Sequence, residues 1–234
     1  MAEGRSKVDD VQRLLKADIL NGKLPPGSKL AFADLRLRYD CSVGVLREAL
    51  PRLVGEGLAV SEPQLGFRVV SVTVDDLRHL SEARVIIETM VLRRAIAEGD
   101  LGYEAKVVAA HHVLANEPMF TADGSGSPAW LSAHSAFHRA LLAACTNERL
   151  RRIADSLRDS SDVYRFWSGT AADQRGRDIP AEHRRIADAV LRRDADAAAA
   201  ALAHHFERTT EILLGSLDPA MAAGMPAGDD RRPA

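Results

Sequence analysis

The sequence predicts a mostly α-helical protein that carries one short β-hairpin in its N-terminal third. Only 5% of the 234 residues are aromatic, whereas alanine and leucine are abundant, and this composition favours helices over sheets. Apolar residues also recur at helical spacing through most of the chain. Hydrophobic residues make up 46% of the chain, so a sizeable core can form and a disordered chain is excluded.

The pattern changes near residue 73, and this change predicts two domains. Before it, three helices and two strands are expected, whereas the part that follows contains helices alone. We therefore predict an N-terminal domain at residues 1–73 and an all-α antiparallel helical bundle at residues 74–215. Residues 216–234 lack periodicity and contain several prolines and glycines, which indicates a disordered tail.

The N-terminal pattern is typical of a winged helix-turn-helix. Its predicted elements are, in chain order, a helix ending near residue 22, a helix over 33–39, a helix beginning after Ser42, and strands over 58–60 and 67–72. The Ser42 hydroxyl can cap the third helix, and Pro63–Gly66 forms the tip of the hairpin. Pro51 lies inside the third helix and should kink or shorten it, because proline removes one helical hydrogen bond.

This third helix is the candidate DNA-reading element. Its apolar back leaves the first turn facing outward, where helix amides and arginine side chains attract phosphates and guanine edges. The candidate DNA-binding residues on and around it are Arg36, Arg38, Ser42, Val43, Gly44, Arg47, Arg52, Gly66 and Arg68. The competing interpretation is a helical domain with ordinary surface arginines.

In the C-terminal domain the spacing predicts six helices. They cover residues 75–98, 102–115, 128–145, 147–167, 179–193 and 195–214. Thr121–Ser127 and 171–178 lack periodicity and are expected to be mobile loops. No run of about 18 apolar residues occurs, so no membrane span is expected. The two cysteines and the lack of a secretory signal pattern indicate a cytoplasmic protein.

Helical phase directs four of the eight histidines toward the core of this domain. His134 and His138 share a face of one predicted helix, and His183 and His205 lie on the inner faces of two others. One buried histidine is usually an ordinary core residue, but four that converge are costly unless they share a partner. A bound transition metal is the partner that such ligands favour. The other four histidines are not expected to take part.

Arg84 is the second informative residue, because it lies in register with Leu77, Ile87 and Val91 on a buried face. A guanidinium stays charged, so a buried one needs an anion. That anion is Glu88, one helical turn away, another carboxylate of the chain, or the carboxylate of a ligand. A metal beside such an arginine would form a receptor for a small carboxylic acid.

Three segments of the N-terminal domain resemble the DNA-binding domain of GntR-family transcriptional regulators: ILNGKLPPGSKL, LRLRYDCSVGVLREALPRLVGEGLAV and GFRVVSV. The resemblance covers nearly all of residues 7–73 and implies binding to a double-stranded DNA operator. The family usually has Ser-Arg-x-Pro at the start of the recognition helix, where this chain has Ser42-Val43-Gly44-Val45. One base-reading arginine is therefore missing, so the expected readout relies on Arg47, the wing, and Arg36 or Arg38.

Residues 75–214 resemble the FCD domain, the helical effector domain of the FadR subfamily, through DLRHLSEARVIIET, FHRALLAACTNERL and AEHRRIADAVLRRDADAAAAALAHHF. That domain commonly holds a divalent metal through an aspartate, a histidine four residues later and two further histidines. The matching residues are His134, His138, His183 and His205, with Arg84 and Asn147 at the family's effector-pocket positions. His134 replaces the usual aspartate, which favours zinc or nickel, with manganese and iron as the remaining alternatives.

These features predict a dimeric, metabolite-responsive repressor whose effector is a small carboxylic acid bound at the metal. Within the family, the chain is similar to the carbon-starvation-induced regulators of glutarate and 4-aminobutyrate catabolism. One alternative is a metal-dependent hydrolase or lyase fused to a DNA-binding head. Against it, the helical phase of Glu182 turns this carboxylate away from His183 and leaves no general base beside the ligands. Another alternative is a purely structural metal.

Overall fold

In the computed structural model of the protein, residues 6–20, 22–71, 73–122, 126–167 and 177–216 are described. They form the helices α1 (Lys7–Leu20), α2 (Phe32–Tyr39), α3 (Val43–Gly55), α4 (Val74–Glu98), α5 (Leu101–Asn116), α6 (Pro128–Leu142), α7 (Glu148–Trp167), α8 (Ile179–Leu191) and α9 (Ala195–Ser216), and the strands β1 (Ala59–Glu62) and β2 (Gly66–Val69). The predicted fold class, mostly α with one small hairpin, is confirmed.

The helix-turn-helix forms because its local sequence sets both the turn and the cap. Asp40 takes a left-handed conformation (φ 44°) and ends α2, and the Ser42 hydroxyl accepts a hydrogen bond from the Val45 amide at 3.3 Å. Apolar residues on the inner faces of α1 and α3 pack together in one cluster. Helix α3 runs through Pro51, which is exposed, and ends at Gly55, so the proline does not terminate the helix; a kink at this position stays a prediction.

The wing is a hairpin in which β1 and β2 pair antiparallel, with Ala59 opposite Val69. A preceding segment extends this sheet along the outer edge of β2. The Gly27 amide donates to the Val69 carbonyl at 3.2 Å, the Val69 amide to Ser28 at 2.9 Å, and the Leu30 amide to Phe67 at 2.8 Å. The wing therefore lies against the chain that connects α1 to α2.

Helices α4 to α9 form the second part of the molecule, in which α4 packs against α7 and α9, α5 against α6 and α8, and α8 against α9. Their apolar inner faces form a separate cluster that is centred on residues such as Leu92, Phe137 and Phe206. The cluster of the N-terminal part does not stop at residue 73, however. It includes Leu77 of α4 and Leu213 of α9, so the two parts pack against each other.

The predicted helix bounds agree with the structure to within three residues for α4 to α9. The two strands begin and end one to three residues away from their predicted positions, because the hairpin tip spans 63–65. The predicted tail lies outside the described residues except for Ser216, which ends α9, and so does most of the predicted loop at 171–178. Among the described helices, none combines the length and the apolar character that crossing a membrane requires.

Candidate metal centre

The structure brings together the four histidines that helical phase directs toward the core. His134 and His138 lie one turn apart on α6, His183 lies on α8 and His205 on α9, and each is at most 4% exposed. Their candidate ligand nitrogens all lie within 4.8 Å of one another. The His134 and His138 Nε2 atoms are 3.2 Å apart. Three helices thus point imidazoles at one small volume.

Apolar and aromatic neighbours fix the orientation of these rings. Trp130 stacks on His134 with ring centroids 4.9 Å apart, and Phe137 packs edge-on against His183 at 5.4 Å. These contacts orient two of the four imidazoles toward the shared volume.

The donor set fits a divalent transition metal. A zinc ion that is bound about 2.0–2.1 Å from each nitrogen places neighbouring ligands about 3.3 Å apart, close to the separation of the α6 pair. Burial and the charges of His134, His205, His183 and Arg158 hold the pKa of His138 well below its usual 6.5. His138 is therefore neutral at physiological pH, and the neutral imidazole is the form that binds metal.

A carboxylate supports one of these ligands from behind. The Glu182 Oε2 atom lies 2.8 Å from His205 Nδ1, so His205 would present Nε2 to a metal. Arg177 fixes Glu182 through contacts of 2.7 and 2.5 Å and also donates to the His205 carbonyl at 3.0 Å. The sequence does not predict this pairing, because helical phase relates Glu182 only to His183 on its own helix and not to His205 on α9.

The pKa of Glu182 is too low for a general base. Burial alone would raise its pKa, but the hydrogen bonds from His205 and Arg177 outweigh burial and lower the pKa to about 2. A general base works best with a pKa near the working pH, so this carboxylate orients His205 rather than accepts protons. A carboxylate does lie beside the histidines, contrary to our expectation, yet it does not favour hydrolysis.

Beside the histidines lies a buried ion cluster on α4 and α7. Glu88 accepts from Arg84 Nε at 2.7 Å and from Arg158 Nη2 at 3.0 Å, and Arg84 Nη1 donates to Ser161 at 2.7 Å. The three charged side chains are at most 4% exposed. Both guanidiniums lower the pKa of Glu88 against the effect of burial, so this group stays ionised. Arg158 was missed, although it shares the inner face of α7 with Ala154.

This ion cluster adjoins the histidines through Phe206. The Arg84 guanidinium carbon lies 3.8 Å from the centre of the Phe206 ring, which is itself 6.0 Å from His138 and 5.9 Å from His205. Within the described part of the chain, Arg84 Nη2 is buried and has no hydrogen-bond partner. Glu88 and Ser161 thus satisfy only part of Arg84, and the two N–H groups of Nη2 remain for another acceptor.

Asn147, the other predicted pocket residue, lies at the N-terminus of α7. Its side-chain oxygen accepts from the amides of Arg149 and Leu150 at 3.1 and 3.2 Å, as a helix cap does. Its contribution to an effector pocket stays a prediction.

The candidate DNA-binding arginines divide into two groups. Three of them form ion pairs within the chain: Arg38 with Asp18 at 3.0 Å, Arg52 with Asp9 at 2.7 Å, and Arg68 with Glu62 at 2.9 Å. Arg36 and Arg47 are exposed, and the described residues include no ion-pair partner for either of them. At the start of α3, Val43 is half-buried and Gly44 is exposed, and Gly66 begins β2 with φ 93°. The second group is therefore the better placed to reach a separate anion.

A winged helix-turn-helix joined to a helical bundle that buries a four-histidine cluster is the architecture expected of a DNA-binding regulator with a second, ligand-binding domain. The comparisons identify the family. Residues 7–69 match the model of the bacterial regulatory proteins of the gntR family, and residues 79–208 match the FCD domain. The chain belongs to the GntR family and carries an FCD domain.

Relatives with curated names agree with this assignment. The transcriptional regulator BphR of Paraburkholderia xenovorans is 34% identical over 91% of this chain and 87% of its own length. The transcriptional repressor GlaR of Escherichia coli is 35% identical over 84% of this chain and 90% of its own. The protein is therefore a DNA-binding transcriptional regulator, and the enzyme alternative is set aside.

Solved structures show the same fold. A GntR regulator from a Rhodococcus species covers 92% of this chain and 100% of its own with a TM-score of 0.71 and 24% identity. The match to the Escherichia coli protein McbR/YncC covers 91% of this chain and 99% of that protein, with a TM-score of 0.72 and 20% identity.

The ion cluster generates a stability prediction. Replacing Glu88 by glutamine (E88Q) leaves two buried guanidiniums without their shared counter-charge, which typically costs about 3–5 kcal/mol. We expect a loss near 3 kcal/mol in the free energy of unfolding measured in urea, because Asp155 still pairs with Arg158 at 2.9 Å. The control is E104Q, which breaks the partly exposed Arg193–Glu104 pair and should cost about 0–1 kcal/mol. Equal losses in the two variants would contradict the role of Glu88.

Proposed function

We propose that the protein is a dimeric repressor whose C-terminal domain binds a divalent transition metal and a small carboxylic acid. The N-terminal domain at 1–73 would bind the operator in the cytoplasm, and the domain at 74–215 would sense the effector. The observation that carries this proposal is the buried four-histidine cluster next to a guanidinium N–H group that lacks an acceptor.

Zinc is the metal that the ligands favour. Four imidazoles supply neutral nitrogen donors, which suit zinc and nickel better than ions that prefer oxygen. The Glu182–His205 pair adds the carboxylate that commonly orients a metal-bound histidine.

A carboxylic acid has the chemistry to bind both this metal and Arg84. One carboxylate would approach the cation, and the same ligand would accept a charge-assisted hydrogen bond from Arg84 Nη2. Arg84 and Arg158 are balanced by Glu88 and Asp155, so the positive charge that an anion would balance is that of a divalent metal held by uncharged imidazoles. This charge favours an acid over a neutral metabolite.

Repression is supported by the names of relatives. GlaR is a repressor, and a relative from Paenarthrobacter nicotinovorans, 26% identical over 83% of this chain, is named as the probable repressor of a D-xylose utilization operon. A dimer would present two recognition helices to two operator half-sites. Effector binding would change DNA affinity through its different affinities for two arrangements of the domains.

The metal is tested by its stoichiometry. The variant H138A or H205A removes one of four ligands, so we expect zinc content, measured by elemental analysis after dialysis, to fall from about one ion per chain toward zero. The matched control is H204A, which removes an exposed histidine next to His205 on α9 and should keep its zinc. Unchanged zinc in H138A and H205A would refute the site.

DNA binding is tested at the recognition helix. The variant R47A removes an exposed arginine that can pair with a guanine edge, so we expect a loss of about tenfold or more in affinity at each half-site. The measurement is binding to sequences that the wild-type protein selects from a random DNA pool. R152A, which alters an exposed arginine of α7, is the control. A variant R47A that protects the same footprint at the same concentration would exclude this role.

The effector is tested by thermal shift with zinc-loaded protein and a panel of straight-chain mono- and dicarboxylic acids. R84M leaves Glu88 paired with Arg158, so the fold keeps a balanced pair. We expect the affinity for the stabilising acid to fall by about tenfold to hundredfold, as for a lost charged hydrogen bond. The control R94M alters an exposed arginine paired with Glu98 at the same spacing on α4. If no acid stabilises the wild-type protein, the metal is structural and the sensing role is wrong.

A further inference from the structure

Helix α7 contacts both parts of the molecule through four consecutive residues. Arg158 and Ser161 belong to the buried ion cluster, where they contact Glu88 and Arg84. The two residues between them, Asp159 and Ser160, contact the N-terminal part instead. One turn of helix therefore lies between the candidate sensory site and the DNA-binding head.

Asp159 is shared between two partners from different parts of the chain. Its Oδ1 atom accepts from Arg139 Nη2 at 3.3 Å, and its Oδ2 atom accepts from Lys16 Nζ at 3.3 Å. Arg139 directly follows the candidate ligand His138 on α6, whereas Lys16 lies on α1 of the head. The Asp159 side chain is only 19% exposed, which reduces solvent screening of these contacts.

Lys16 extends this chain of contacts to the recognition helix. Its ammonium group also donates to Glu56 at 2.9 Å, and Glu56 caps the C-terminus of α3. Burial opposes the charge of Lys16, but Glu56 and Asp159 raise its pKa above the usual 10.5, so the group stays charged. Charged contacts thus run from α6 through Asp159 and Lys16 to the end of α3.

A close backbone approach reinforces this contact. Gly57, just after α3, has φ +73°, and a Cβ atom there would lie 2.5 Å from the Ser160 hydroxyl oxygen. The turn after the recognition helix is therefore seated directly on α7. We expect a displacement of this part of α7 to displace the turn after α3 as well, because tightly packed atoms transmit displacement.

We infer that Asp159 is the coupling residue that transmits the state of the histidine cluster to the recognition helix. Occupancy of the cluster would shift His138 and Arg139 together, and the shared carboxylate would pass this shift through Lys16 to Glu56. The inference rests on the proposed function for its signal. The contacts themselves involve none of the four candidate ligands, so they can be tested in metal-free protein.

The first test is hydrogen exchange of the full-length protein with and without zinc. In the wild-type protein, zinc should slow exchange in the histidine-bearing helices and change exchange in α1 and α3 by about twofold to fivefold, the range that partly exposed ion pairs support. In D159N, zinc should still slow exchange in the histidine-bearing helices, but it should no longer change exchange in α1 and α3. The control E104Q removes a carboxylate of α5 that is also 19% exposed and that pairs with Arg193, just after α8, and its exchange should respond to zinc as in the wild type.

The inference would be overturned if zinc changed hydrogen exchange in α1 and α3 equally in the wild type and in D159N. It would also be overturned if E104Q lost this change to the same extent as D159N. So would a wild-type head that ignores zinc while the histidine helices respond, although the metal centre would then stand.

The second test uses metal-free protein, so that it does not depend on the metal centre. R139Q removes an exposed partner of Asp159 and should change exchange in α1 by about twofold, but it should have no further effect in a chain that already carries D159N. Equal effects in both backgrounds would exclude Asp159 as the link. If zinc changes no part of the protein, the proposed metal centre is wrong, and this test alone decides the coupling.

Discussion

The constraint on which the C-terminal part depends is that buried polar groups must satisfy one another, because water is excluded from them. Imidazoles from α6, α8 and α9 meet in one volume, and the guanidiniums of α4 and α7 meet around Glu88. Each such group is costly to bury alone, so the helices that carry them must pack in one arrangement. Arg84 Nη2 does not meet this requirement within the described residues, because it is buried without a hydrogen-bond partner, and this makes it a candidate contact for a ligand.

In the N-terminal domain, three of the five candidate DNA-binding arginines form ion pairs within the chain. Arg38 and Arg52 join α2 and α3 to α1 through Asp18 and Asp9, whereas Arg68 pairs with Glu62 within the wing. Arg36 and Arg47 are exposed and have no ion-pair partner among the described residues, so they are the candidates that can reach a separate anion.

Much of this arrangement could be predicted from the sequence, since it depends on contacts within one element. Helical phase placed the four histidines and Arg84 on inner faces, and the Ser42 cap marked the start of α3. Contacts between elements could not be predicted in this way. Glu182 reaches His205 on another helix, and Arg158 reaches Glu88 across 70 residues, because helix packing angles decide both contacts and no single-helix periodicity encodes them. The three internally paired arginines were likewise indistinguishable from Arg36 and Arg47 by composition or spacing.

The contacts that attach the wing to the preceding segment determine when the hairpin loses its conformational entropy. Arg68 joins β2 to Glu62 and to the Gly27 carbonyl at 3.1 Å, and the segment 27–30 is hydrogen-bonded along the strand edge. The conformational entropy of the hairpin is thus lost when the chain folds rather than when it meets the double helix. The ordering of this hairpin therefore adds no further entropic cost to any contact that the wing makes.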